Sequence, residues 1–266
     1  MADSSEKQTG IYAITTDPAA LNSYLVVGTS RALLVDTGSG PQQASRIFET
    51  ARTVTGLPIS VLNTHDHWDH FFGNAHVKAE GVDEFFASER FAHDQAASAW
   101  LQLAEVPATD EPDLPADPTE LIVEPTRIVA HGDTIDLGGT VDLGGTVVTV
   151  REYSGHTESD IVLQVSDVLI VGDLIEEGAP PQFGDDAQPS AWAQTLRDLL
   201  AIDGISVYCP GHGEPVDRAF VQAQADDVAA VAAQLADPDA GDAEVSLRQA
   251  QPFTYLSSTG GAKRIR

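Results

Sequence analysis

The chain has 266 residues, 42% of them hydrophobic, which suffices for one large globular domain. Its 41 acidic residues face 14 basic ones, for a net charge of −27, a surface that repels nucleic acid and anionic membranes and argues against nuclease or membrane-surface roles. Nothing resembles a signal peptide or the ~20-residue apolar stretch that spans a bilayer, so a soluble cytoplasmic protein is expected, and a single cysteine, Cys209, excludes an internal disulfide.

Residues 1–10 are polar and read as a flexible start. Tyr24 to Val27 and Ala32 to Val35 read as buried strands joined by a Gly28-Thr29-Ser30 turn. Pro41 opens a helix whose apolar residues Ala44, Ile47, Phe48 and Ala51 recur at helical spacing, and Gly56 ends it. A strand over Ile59 to Leu62 follows, then a helix capped by Ser88 and running to about Leu103. Residues 105–120, proline-rich and acidic, read as a surface loop or lid rather than a packed element. A tandem repeat, Ile135 to Thr140 and Val141 to Thr146, shifts the chain by an even number of residues and so keeps the facing of a strand; it reads as a lengthened hairpin. Strands resume at Thr146 to Val150, Ile161 to Val165 and Val168 to Val171, and Cys209 sits in another apolar run as a buried thiol. Helices are expected from Ser190, with a stripe of Trp192, Leu196, Leu199 and Leu200, and near Val216 to Leu235. Residues 11–236 thus form the domain, with 237–266 as a C-terminal tail. Two runs of strands interleaved with helices suggest two sheets face to face, although composition alone also admits a single doubly wound sheet.

Thr64-His65-Asp66-His67-Trp68-Asp69-His70 places three imidazoles and two carboxylates where the strand signal over Ile59 to Leu62 stops. Imidazole and carboxylate are the ligands that borderline divalent metals prefer. In an extended segment His65 and His67 point the same way and can share an ion, while Asp69 and His70 can serve a second nearby. His156 in Gly155-His156-Thr157 and His212 in Gly211-His212-Gly213 are natural further ligands, because glycine lets the backbone approach closely. Asp173, at the end of an apolar strand, has two oxygens with which to bridge. Five of the eight histidines fall in these motifs; chance placement would scatter them.

This motif series, together with Val35-Asp36-Thr37-Gly38, resembles that of the metallo-β-lactamase fold superfamily over roughly residues 11 to 235. The resemblance implies an α/β (α+β) fold, a four-layer αββα sandwich with the site at one edge between the sheets. It implies that His65, His67 and His156 hold a first metal, that Asp69, His70 and His212 hold a second, and that Asp173 bridges them. Asp36 would support the metal loop from behind the ligands. Two Zn²⁺ per chain are expected, with Fe or Mn possible, and about 3.5–4 Å between ions suits water activation and metal-assisted hydrolysis of a carbonyl. Asp69 and Asp173 are the catalytic carboxylates in this reading.

The substrate is less legible. No lysine or arginine lies near any metal motif in sequence, which disfavours phosphodiester, sulfate ester or carboxylate-bearing substrates that want a cationic clamp. Classical glyoxalase II enzymes use a helical C-terminal domain with basic residues for glutathione, where this sequence reads as a short tail with Lys263, Arg264 and Arg266. Glu176 stands where the similar quorum-signal lactonases place a tyrosine. A neutral or weakly charged ester, thioester, lactone or lactam is expected, against pocket walls that include Trp68, Phe71 and Phe183. The alternative on the same fold is a mononuclear iron sulfur dioxygenase, which would use only the first-metal ligands plus the aspartate. Oligomeric state has no signature in the sequence.

Overall fold

The computed structural model describes residues 10–17, 19–138, 146–236 and 261–266. Its first half runs β1 (Gly10–Thr16), β2 (Leu21–Val27), β3 (Ala32–Val35), α1 (Pro41–Val54) and β4 (Ile59–Leu62). Two short helices, α2 (Trp68–Phe71) and α3 (Asn74–Ala79), lead to β5 (Phe85–Ala87), α4 (Glu89–Gln102) and β6 (Arg127–Ile128). The second half holds β7 (Thr134–Asp136), β8 (Val147–Tyr153), β9 (Asp160–Val165), β10 (Val168–Glu176), α5 (Pro189–Leu200), β11 (Val207–His212) and α6 (Arg218–Ala236), and β12 (Lys263–Arg264) closes the chain.

The strands follow one hydrogen-bonded path, β6-β5-β4-β3-β2-β11-β10-β9-β8-β7, with β1 on β2 and β12 on β1. Among the described residues the strand pairing between the two halves of that path is the His212–Leu21 pair of β11 and β2, and the sheet curls there and faces itself. Alternation of side chains then decides the layers. One face of each half meets the other: Tyr24, Val26, Leu33, Val35 and Leu62 pack with Val148, Val150, Ile161, Leu163 and Ile170. The outer face of the first half packs on Ala44, Ile47, Phe48 and Ala51 of α1, and that of the second on Trp192, Leu196 and Leu199 of α5 with Val221 and Val228 of α6. Helix, sheet, sheet, helix: the expected αββα sandwich. β2, β3, β4 and β10 are buried on both faces, which explains why they read as largely apolar runs.

Local signals hold where chemistry is local. Ser88 Oγ accepts from Phe91 N at 3.0 Å and starts α4. The 105–120 segment differs from expectation. It is irregular, with 3-10 turns at Leu103–Glu105 and Pro118–Leu121, yet Val106 and Leu121 are buried with Phe71, Phe72 and Phe91. Glu111 anchors it by accepting from Gln42 N (2.8 Å) and Gln43 N (2.7 Å), the unsatisfied donors at the start of α1. The second copy of the tandem repeat falls almost wholly outside the described residues. No described helix is long and apolar enough to cross a membrane.

Candidate metal centre

The site forms along one rim of the sandwich, where β3, β4, β10 and β11 end. β4 stops at Leu62 and the chain turns through Thr64 to His70 into α2. That turn is clasped from both sides. Gln102 of α4 accepts from Trp68 N at 2.7 Å, Ser98 donates to Asp66, and Ile161 N of β9 donates to Thr64 O at 2.8 Å. His156 sits in the β8–β9 turn, held by Thr157 N and Oγ1 donating to Asp160. Asp173 lies within β10, and its neighbour Gly211 on β11 leaves the room it needs: a Cβ there would fall onto Asp173 Oδ1.

Asp173 is the centre of the group. Its Oδ2 lies 3.8 Å from His65 Nε2, 3.6 Å from His156 Nε2 and 3.3 Å from His212 Nε2, while Oδ1 lies 3.2 Å from His70 Nε2. His67 Nδ1 is 2.9 Å from His156 Nε2, and Asp69 reaches His212 Nε2 at 3.3 Å. All seven candidate residues therefore converge, in overlapping groups: His65-His67-His156, His65-His70-Asp173 and Asp69-His70-His212.

The outward side of each ring decides what its inward nitrogen can do. His70 Nδ1 donates to Asp36 Oδ2 at 2.9 Å. The Thr64 hydroxyl gives its one hydrogen to the same Oδ2 at 2.8 Å, so the 2.9 Å contact from His65 Nδ1 to that hydroxyl is a donation from the ring. His212 Nδ1 donates to Ala19 O at 2.9 Å, and His67 Nε2 to Asp186 Oδ2 at 3.0 Å. With one nitrogen protonated outward, the neutral ring presents a lone pair inward. Four imidazoles thereby turn a lone pair inward, where they could hold a metal ion.

Electrostatics treat the rings differently, and His67 is raised because burial is outweighed by its hydrogen bond to Asp186. Burial, with the charge of His70 beside it, holds His65 well below the ordinary imidazole value, and burial with His67 nearby takes His156 down to about 4. Burial pulls His70 and His212 the same way, but carboxylates outweigh it: Asp173, Asp69 and Asp36 raise His70, and Asp173 and Glu176 raise His212, both well above the ordinary value. Asp173 is held well below the usual carboxylate range, burial being overcome by His70 and His212.

A cleft of about 710 Å³ opens over the group, lined by Trp68, Leu101, Gln102, Ala179, Gln182, Gly184 and Asp186 among others, with no lysine or arginine. Phe71 is not part of it. Phe71 is fully buried against Phe72 and Phe91, and Phe183 stacks on Trp192, 4.9 Å between ring centres, behind His156. Trp192 is core as well, its indole nitrogen donating to Leu174 O.

The residue pattern of the family described as the metallo-beta-lactamase superfamily matches residues 16–212, the span that carries every one of these motifs. The chain belongs to the metallo-beta-lactamase superfamily. Among curated proteins it is similar to hydroxyacylglutathione hydrolases from strains B100 and 8004 of Xanthomonas campestris pv. campestris, 28% identical over 211 residues. That match covers 75% of this chain and spans 64% of the length of the relatives. Among solved structures, a metallo-beta-lactamase from Pontibacter korlensis superposes with a TM-score of 0.58 at 19% identity, over 81% of this chain and 93% of the other, a likeness of fold.

Three features of the site lay beyond sequence reasoning. Asp186 carries no signal that separates it from the other 40 acids. Ala19 acts through its carbonyl, which any residue supplies. Thr64 adjoins the motif, and its relay role depends on Asp36 arriving from β3.

Proposed function

We propose that the chain is a dinuclear zinc-dependent hydrolase of carbonyl substrates. The observation that carries this reading is the inward set of His65, His67, His70 and His212 around Asp173, each ring fixed by an outward hydrogen bond. Buried His65 Nε2, His70 Nε2 and Asp173 Oδ1 make no hydrogen bond among the described residues, a state that costs free energy unless a cation takes up their lone pairs. The residues fit the metal. His65, His67 and His156 would hold one ion, Asp69, His70 and His212 the other, with Asp173 shared. Zinc suits so many imidazoles; iron or manganese would fit the same donors.

Such ions, when bound, supply Lewis acidity and a water of lowered pKa. The chain supplies the rest. Asp69, which lines the cleft, takes up the proton released from water at a carboxylate oxygen and returns it to the leaving group. Trp68 and Leu101 give the substrate an apolar wall. A cleft without a cationic side chain favours a small neutral ester, thioester, lactone or lactam. The curated relatives are named for hydrolysis of a hydroxyacylglutathione, which keeps thioesters in that class. The acidic surface disfavours nucleic acid and membranes, and a cytoplasmic setting suits the reading.

A one-iron dioxygenase would have no use for His70 and His212, yet Asp36 and Ala19 orient both. The test is a panel of neutral esters, thioesters, lactones and lactams on zinc-loaded protein beside His67→Ala. Turnover lost together with metal in the variant supports the assignment; equal turnover in both removes it, and one iron per chain would favour the dioxygenase.

A further inference from the structure

The group contains an eighth side chain that the seven-ligand scheme leaves out. Glu176 ends β10, three residues beyond Asp173, paired in register with His212 of β11. Its backbone is fixed. Gln224 of α6 accepts from Glu176 N at 3.1 Å while donating to Leu174 O at 3.0 Å, so the helix clamps the last turn of the strand in place. The side chain is 3% exposed, lines the cleft, and its Oε2 makes no hydrogen bond among the described residues. Ligand atoms of Asp173, Glu176 and His212 lie within 4.8 Å of one another.

Two buried carboxylates this close repel, and among the described residues the cleft lining offers histidines but no lysine or arginine to offset them. A divalent cation beside Asp173 and His212 removes the conflict. We infer that Glu176 is a further carboxylate donor to the ion held by Asp69, His70 and His212, an inference that rests on the dinuclear reading above. The two positions then differ in kind. The first offers three imidazoles and shared Asp173; the second offers two imidazoles with Asp69, Glu176 and Asp173. More oxygen at the second position raises its relative preference for harder ions such as Mn²⁺.

The experiment measures retention of Zn²⁺ and Mn²⁺ by chelator competition and elemental analysis in the full chain, Glu176→Gln, Glu176→Asp and Asp185→Asn. Asp185→Asn removes an equal charge from the cleft lining outside the donor group. Weaker retention of one of two ions by about tenfold or more in Glu176→Gln, larger for Mn²⁺ than Zn²⁺, partly restored in Glu176→Asp and absent in Asp185→Asn, is the expected result. Circular dichroism confirms folding, and Glu176→Asp, which keeps the charge on a shorter stem, carries the comparison should the glutamine variant unfold. Two ions held as tightly in Glu176→Gln as in the unaltered chain overturn the donor role alone. An unaltered chain that retains no ion overturns the dinuclear reading and this inference together.

Discussion

Asp36 Oδ2 lies 2.9 Å from His70 Nδ1 and, through the Thr64 hydroxyl, also governs His65, so one carboxylate behind the site sets two of its imidazoles. The residue adopts φ 63°, a left-handed conformation that side-chain-bearing residues rarely hold without compensation. The Thr64 backbone N–H, donating to Oδ1 at 2.8 Å, is part of that compensation. Asp36→Asn replaces one acceptor by a donor facing hydrogens. We predict metal retention weaker by about 10–100-fold with the fold intact, read by chelator competition beside circular dichroism. Unchanged retention would show that the ring orientations are held by other means.

Acid should empty the two positions unequally. His70 and His212 are raised well above the usual imidazole value by surrounding carboxylates, so in ion-free protein they hold protons at neutral pH that an incoming ion must displace. His65 and His156 are already neutral there, the latter with a value of about 4. Protons thus compete harder at the Asp69-His70-His212 group, where both imidazoles are raised well above the usual value, than at the other, where His67 alone is raised and less so. Lowering the pH from 8 removes the ion of the former first. Metal content after dialysis at stepped pH should fall in two stages; one simultaneous loss contradicts the division.

Gly211→Ala should damage the site while sparing most of the fold. The added methyl collides with Asp173 Oδ1, which must swing out of the group. Gly56→Ala is the control, since nothing lies within 4 Å of the added carbon. Metal analysis should find the first variant depleted and the control full. A fully loaded Gly211→Ala would mean that Asp173 is not needed where it stands.

Glu111→Ala tests the anchor of the 105–120 segment. Its removal leaves the Gln42 and Gln43 N–H groups at the start of α1 without their acceptor, a loss of about 1–3 kcal/mol. Thermal or denaturant unfolding should register it. Stability within about 0.5 kcal/mol of the parent would assign the contact no energetic role.

Legibility followed the range of the interaction. The α1 stripe, the Ser88 cap and the histidine motif are short-range patterns, and each stands where the sequence placed it. Phe71 read as a pocket wall because it adjoins the motif; the direction of α2 turns it into the aromatic cluster under α4 instead. The 105–120 segment read as a surface loop or lid rather than a packed element because Glu111 looks like any surface acid until α1 brings two N–H groups to it. Asp186 and Ala19 reach the site from 119 and 193 residues away from the rings they orient, distances over which periodicity carries no information.

The central claim is that seven side chains cage two cations, and metal stoichiometry tests it most directly. Elemental analysis of the purified chain, loaded with zinc and freed of excess by gel filtration, should find two ions per chain, and His67→Ala should retain fewer. A chain that stays free of metal under every loading condition, or a His67→Ala protein that binds as many ions as the parent, would contradict the account.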